Sequence, residues 1–191
     1  MAYDQINPNG RDKIPRSARS TEPAWVTTVA LPPEAAPFDL QAAINAAGDG
    51  EPTVIELNSD IILNGYDIKI PQDKIIKLTS AGAEITHSID ANRLFRVLSV
   101  SSQAALYLEN IIITGGVGTD SGAGVSVFGG TLVMNNNAAI TGNQASGAGA
   151  GVLIRNGGTF CMNGGEITNN TAGTEGGGVN NGTGGIFLMA G

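Results

Sequence analysis

The chain has 191 residues, 41% hydrophobic and only 14% charged, with a net charge of −7. That balance excludes an intrinsically disordered chain, which shows the reverse, and makes a nucleic-acid backbone or an anionic membrane surface an unfavourable partner. A single cysteine excludes an internal disulfide, no run of 18 apolar residues offers a membrane-spanning helix, and 28 glycines point away from helical architecture.

Residues 1–22 are polar where a secretory signal would carry an apolar region. Pro8, Asn9-Gly10, Pro15 and the scattered Arg11, Lys13, Arg16 and Arg19 show no periodicity. This stretch is expected to be a leader: a solvated tail, an arm lying along the rest of the chain, or a clamp for an acidic partner. Residues 23–50 hold a first strand, Trp25 to Val29, broken by Leu31-Pro32-Pro33. One helix follows, Asp39 to Ala47, with Leu40, Ala43, Ile44 and Ala47 on one face and Gly48 as its expected stop. An amphipathic helix ahead of a β-solenoid is expected to cap it, shielding strand edges and open core from water.

From residue 51 to about residue 110 short β-like runs alternate with Gly, Pro and Asn corners. They include Thr53–Leu57, Ile61–Leu63, Asp67–Ile70, Lys74–Leu78, Glu84–Thr86 and Ala105–Leu108. After that the chain repeats itself. Gly122-Ala-Gly-Val125, Gly149-Ala-Gly-Val152 and Gly176-Gly-Gly-Val179 place their valines 27 residues apart, and Ile113-Thr114, Ile140-Thr141 and Ile167-Thr168 keep the same step. Between them lie Leu132-Val133-Met134, Phe160-Cys161-Met162 and Phe187-Leu188-Met189. A fixed period in the twenties without helical stripes means a solenoid whose coils bury their apolar faces only by stacking.

The predicted fold is therefore all-β: a right-handed parallel β-helix with a short N-terminal capping helix. Internal ladders are expected from Val125, Val152 and Val179 and from Ile113, Ile140 and Ile167. Asn143 and Asn170 share the period and are expected to stack at an inner corner, their amides bonding along the axis. The pattern breaks off after Met189, so a longer parent protein, or an open end that meets a partner or a second copy, is expected.

Candidate chemistry is sparse, and no catalytic, cofactor or metal site is predicted. His87 is the only histidine. With Glu84 and Asp90 it is too little for a usual zinc site, and an exposed corner position is expected. Cys161 lies in an apolar run and reads as a small buried hydrophobe. Asp60, Asp67, Asp73, Asp90, Arg93 and Arg96 are the charges of the early coils, read as solvated or salt-bridged and not as a carbohydrate site. Gly115 to Asp120 hints once at a calcium nonapeptide that works only in tandem.

Ile140-Thr-Gly-Asn143 with Gly149-Ala-Gly-Val152, and Ile167-Thr-Asn-Asn170 with Gly176-Gly-Gly-Val179, resemble the repeats of bacterial surface proteins of the polymorphic outer-membrane-protein and β-helical adhesin type. Ile stands where those repeats often carry Phe. The segment Leu40-Gln-Ala-Ala-Ile44 followed by Pro52-Thr-Val-Ile-Glu-Leu57 looks like the start of pectate-lyase-like β-helices. The resemblance implies a non-enzymatic adhesin or stalk at the cell surface or outside the cell, contacting host or matrix glycans or proteins. A polysaccharide lyase or glycoside hydrolase, or a phage fibre or spike component, are the alternatives.

Overall fold

The computed structural model describes residues 22–82 and 84–190, which form twenty short strands and one helix, Pro37–Ala46. Every described strand pair is parallel, and the chain winds as a β-solenoid of about six turns. A seven-stranded sheet runs Thr27–Ala30, Pro52–Leu57, Ile75–Ser80, Ala105–Leu108, Thr131–Met134, Thr159–Met162 and Ile186–Met189 in that spatial order. The strands of each coil that lie between these belong to other sheets. One five-stranded sheet stacks Ile68–Ile70, Leu98–Val100, Val125–Phe128, Val152–Arg155 and Val179–Asn181. The other stacks Ile61–Ile62, His87–Asp90, Ile111–Thr114, Ala139–Thr141 and Glu166–Thr168. A short fourth sheet of three strands stacks Val117–Gly118, Gln144–Ala145 and Thr171–Ala172.

Register turns the repeat into columns. Val125 lies opposite Val152, and Val152 opposite Val179. The column continues upstream through Leu98 to Ile68. Ile113, Ile140 and Ile167 stack in the same way, extended upstream by Ile89 and Ile61. Leu132, Phe160 and Phe187 form a third column, and the two phenyl rings are parallel-stacked with centroids 5.0 Å apart. In a strand successive side chains alternate between faces, so each column is wholly inside or wholly outside. The inner ones are fully buried through the middle coils, while Ile167, Val179 and Phe187 in the last coil are only partly covered.

Corners use residues that tolerate a left-handed backbone. Asn110, Asn137, Asn156 and Asn169 all have positive φ. Gly124 is required for a different reason: a Cβ there would lie 2.5 Å from the carbonyl oxygen of Gly151 in the next coil. The coils approach backbone to backbone at this point, and only hydrogen fits.

The helix packs Leu40 and Ile44 into the core at zero exposure, with Ala43 and Ala47 partly buried beside them. It starts two residues earlier than the sequence pattern suggests, because Pro37 suits a first helical turn and the Asp39 carboxylate accepts the Ala36 N–H at 2.8 Å. The expected stop at Gly48 is not how it ends. Ala47 leaves the helix with φ −56° and ψ 143°, and the left-handed turn comes at Gly50. Gln41 shows what the helix does for the sheet below it. Its amide nitrogen donates to the Lys69 carbonyl at 3.0 Å and its amide oxygen accepts the Lys69 N–H at 2.8 Å. One side chain thus pairs with the edge strand Ile68–Ile70 as a neighbouring strand would.

The strand Thr27–Ala30 is itself a rung, with Thr27 opposite Thr53 and Val29 opposite Ile55. The stretch 23–50 is therefore continuous with the stack. His87 differs from expectation: it lies inside strand His87–Asp90, half-buried, its Nδ1 3.5 Å from the Asp60 carboxylate. The run Glu84–Thr86 is the approach to that strand, which begins one residue after it.

Candidate functional site

The expected ladder residues build the scaffold. Asn143, only 1% exposed, is the centre of the corner network. Its Oδ1 accepts the Gly116 N–H at 2.8 Å, and its Nδ2 donates to the carbonyls of Ile113 at 3.2 Å and Thr141 at 3.1 Å. Asn170 Oδ1 in the next coil accepts from both Asn143 Nδ2 (2.9 Å) and Asn143 N–H (3.0 Å), while its own Nδ2 donates to Ile140 O at 2.8 Å. The two asparagines thus repeat one bonding pattern a coil apart, and a buried amide is satisfied at every atom.

The early-coil charges are mostly spent on corners. Arg96 donates from Nη2 to Ser121 O at 2.8 Å and from Nε to Gly122 O. Burial pulls its pKa below the ordinary value; Asp67 and Asp120 oppose that pull and Arg155 adds to it. Asp60 accepts the Ser88 N–H, Asp90 accepts the Asn92 N–H, and Asp73 and Arg93 occupy left-handed corners. Glu84, His87 and Asp90 do not converge: among the described residues no three His, Cys, Asp or Glu side chains are grouped to hold a metal ion. Likewise no described helix is long and apolar enough to cross a membrane.

A concave surface does form beside the helix. Gln41, Asn45, Tyr66, Asp67, Lys69 and Pro71 line an open groove of about 290 Å³. Gln41 and Asn45 are one helical turn apart, and the Gln41 amide also donates to Asn45 Oδ1 at 3.0 Å. Asp67 directly precedes strand Ile68–Ile70 and accepts the Ser99 hydroxyl at 2.7 Å. Tyr66 follows the Asn64-Gly65 corner, and 44% of its surface is exposed. The groove therefore offers one aromatic face, one oriented carboxylate, one ammonium and side-chain amides. Such a set can stack on the apolar face of a sugar and bond its hydroxyls. Asp67 is the one carboxylate among the described residues of this lining, whereas glycoside hydrolysis uses a facing pair. Sequence reading passed over Tyr66. The available signal was a tyrosine directly after a glycine corner in a chain with 5% aromatic residues.

A second cluster sits on the outer side of the seven-stranded sheet. Glu22 accepts from Trp25 Nε1 at 2.9 Å, from Lys77 Nζ at 3.1 Å and from Asn135 Nδ2. Lys77 also donates to Glu109 at 2.6 Å and lies 4.9 Å from the centre of the Trp25 ring. Trp25 meets Tyr107 edge-to-face at 5.1 Å. Burial works against the Glu22 carboxylate, but Trp25, Lys77 and Asn135 outweigh it and hold its pKa below the ordinary value. Burial likewise disfavours the Lys77 ammonium, but Glu109 and Glu22 outweigh it and raise its pKa.

The signs define a pH window. A depressed carboxylate stabilises at neutral pH, and this is lost as pH falls through its folded pKa, below about 4.3. A raised lysine stabilises below its ordinary pKa of about 10.4, and this is lost only at more alkaline pH. Emission from Trp25, the only tryptophan, is expected to stay constant between these limits and to shift red on acidification. In Glu22→Gln the acid shift should disappear. An identical acid shift in that variant would contradict the assignment.

Compared with known proteins, the chain matches no family model, no curated protein and no solved structure. Its class is defined by its own strand register, which is that of the parallel β-solenoid proteins.

Proposed function

We propose that this chain is a non-catalytic β-helical segment of a bacterial surface or secreted protein, a stalk whose flank carries an adhesive groove for glycans. The observation that carries this reading is the outer face of the regular coils. From Asn110 onward the ionisable side chains are Asp120, Arg155, Glu166 and Glu175, with Cys161 the sole thiol. Most of the other exposed positions of these coils are Asn, Thr, Ser, Gln or Gly, with Phe128, Ile186 and Met189 the large apolar exceptions among the described residues, which suits a surface that spaces or adheres. The groove of Tyr66, Asp67 and Lys69 supplies the adhesive element, because an exposed ring with flanking hydrogen-bonding groups recognises sugars without cleaving them.

A glycan array probed with the wild type and with Tyr66→Ala tests it. Binding to a subset of glycans is expected, weakened about fivefold in the variant, since stacking on an aromatic ring contributes about 1 kcal/mol. No binding to any glycan or cell surface would remove the adhesive half and leave the stalk. Unsaturated products or new reducing ends from pectin or alginate with calcium would replace the reading with a carbohydrate-active enzyme.

A further inference from the structure

In an Asn-Gly dipeptide the asparagine side chain reacts readily with its own backbone, because glycine has no Cβ to obstruct the approach of its nitrogen to the amide carbon. The sequence contains five such pairs, of which Asn9-Gly10 lies outside the described residues. Three of the remaining four are held. The Gly164 N–H donates to Met134 O at 3.2 Å, and the Asn163 amide donates to Asn135 Oδ1 at 3.1 Å. The Gly182 N–H donates to Ile154 O at 2.8 Å, directly after strand Val179–Asn181. Asn156 and Gly157 both sit in the left-handed region. There the Asn156 N–H donates to Thr183 O at 3.1 Å, and the Gly158 N–H closes the turn on Arg155 O at 3.0 Å. Asn64-Gly65 differs. The Leu63 N–H is bonded to Asp90 O and the Ile68 N–H to Val97 O, but the N–H groups from Asn64 to Asp67 make no hydrogen bond among the described residues. The Asn64 side-chain amide makes none either, and Asn64, Gly65 and Tyr66 are exposed.

We propose that Asn64 is a self-modification site, converted through a succinimide to isoaspartate or aspartate. The Gly65 nitrogen attacks Cγ of Asn64. A new C–N bond forms as the C–NH2 bond breaks, and the Gly65 proton leaves with the amide as ammonia. Water then opens the ring: one carbonyl carbon takes the hydroxyl and the imide nitrogen takes the proton. Nothing is oxidised or reduced, and water is the one co-reactant. Local freedom selects the site, because ring closure requires the asparagine backbone to turn until its side chain faces the next nitrogen. Between Leu63 and Ile68 that rotation breaks no hydrogen bond, whereas the turn or strand end at Asn156, Asn163 and Asn181 is tied by the bonds above. Either product adds a negative charge just ahead of Tyr66, and isoaspartate also lengthens the backbone there by one carbon. Tyr66 and Asp67 line the groove, so its lip becomes more acidic and Tyr66 is displaced as the protein ages. The chemistry itself does not depend on what the groove binds.

The test holds the native chain at mildly alkaline pH in heavy-oxygen water, with denatured protein as the reference, and maps the peptides by mass spectrometry. Heavy oxygen is expected at residue 64, part of it as isoaspartate, while Asn156, Asn163 and Asn181 take it up over the same period only in the denatured chain. Gly65→Ala should react about tenfold more slowly, since the added Cβ obstructs the nitrogen and raises the barrier. That variant suits the fold, because a Cβ at Gly65 meets nothing within 4 Å, and far-UV circular dichroism should be unchanged. Reaction at Asn163 or Asn181 as fast as at Asn64 in the native chain would overturn the proposal. So would an Asn64 that reacts only after denaturation, or an unchanged rate in Gly65→Ala.

Discussion

Phe160→Ala is expected to lower the unfolding free energy by about 4 kcal/mol, the largest effect of any single substitution considered. Phe160 is fully buried, stacks on Phe187 and stands between Leu132 and Phe187 in an inner column. Truncation removes the transfer energy of the ring and leaves a cavity, and the hydrogen-bonded rungs on either side resist collapse into it. Ile186→Ala, one position before Phe187 and 50% exposed, should cost less than about 0.5 kcal/mol. Urea unfolding followed by circular dichroism measures both. Comparable losses at the two positions would mean that the column is not inside the coil.

Asn143→Ala is expected to cost about 3 kcal/mol, by a different mechanism. The part of the side chain removed is a polar carboxamide with little apolar surface, so little hydrophobic transfer energy is at stake. What is lost is the partner of the buried Gly116 N–H and a donor to the Ile113 and Thr141 carbonyls. Asn170 loses its side-chain partner in the coil above. Each buried polar group left without a partner costs about 1–3 kcal/mol, and water has little room at a corner where Gly116 and Gly124 already admit no Cβ. Hydrogen exchange should place the damage. Protection of the Gly116 and Asn143 amides should fall first, because coils of a solenoid couple mainly to their neighbours. Exchange unchanged at both amides would contradict the network.

The regular half of the stack was legible because its coils are equal. Val125 to Val152 to Val179 is a constant 27-residue step, and like residues at a constant step reveal their column directly. The early coils hide the same columns. Ile61, Ile89 and Ile113 are separated by 28 and then 24 residues, and Ile68 and Leu98 by 30, so no fixed period links them. Corner loops absorb insertions while the strands hold their register, and that is invisible to a search for one period. The helix face Leu40, Ala43, Ile44 and Ala47 was readable from spacing. The role of Gln41 was not, since pairing with the edge of a distant strand depends on where the helix lands. His87 was misplaced for a related reason: Thr-His-Ser-Ile-Asp is a weakly apolar run, and stacking between Ile61–Ile62 and Ile111–Thr114 makes it a strand. The groove joins the helix to a later coil and Trp25 meets Tyr107 across coils, so neither that assembly nor that pairing has a local signature, although the Gly65-Tyr66 corner itself does.

Inter-strand nuclear Overhauser contacts in the isotope-labelled chain test the stacked-coil account most directly. Backbone contacts between Val125 and Val152, Val152 and Val179, and Ile140 and Ile167, in the parallel pattern, are the expected result. Absence of those contacts, or an antiparallel pattern joining strands adjacent in sequence, would contradict it.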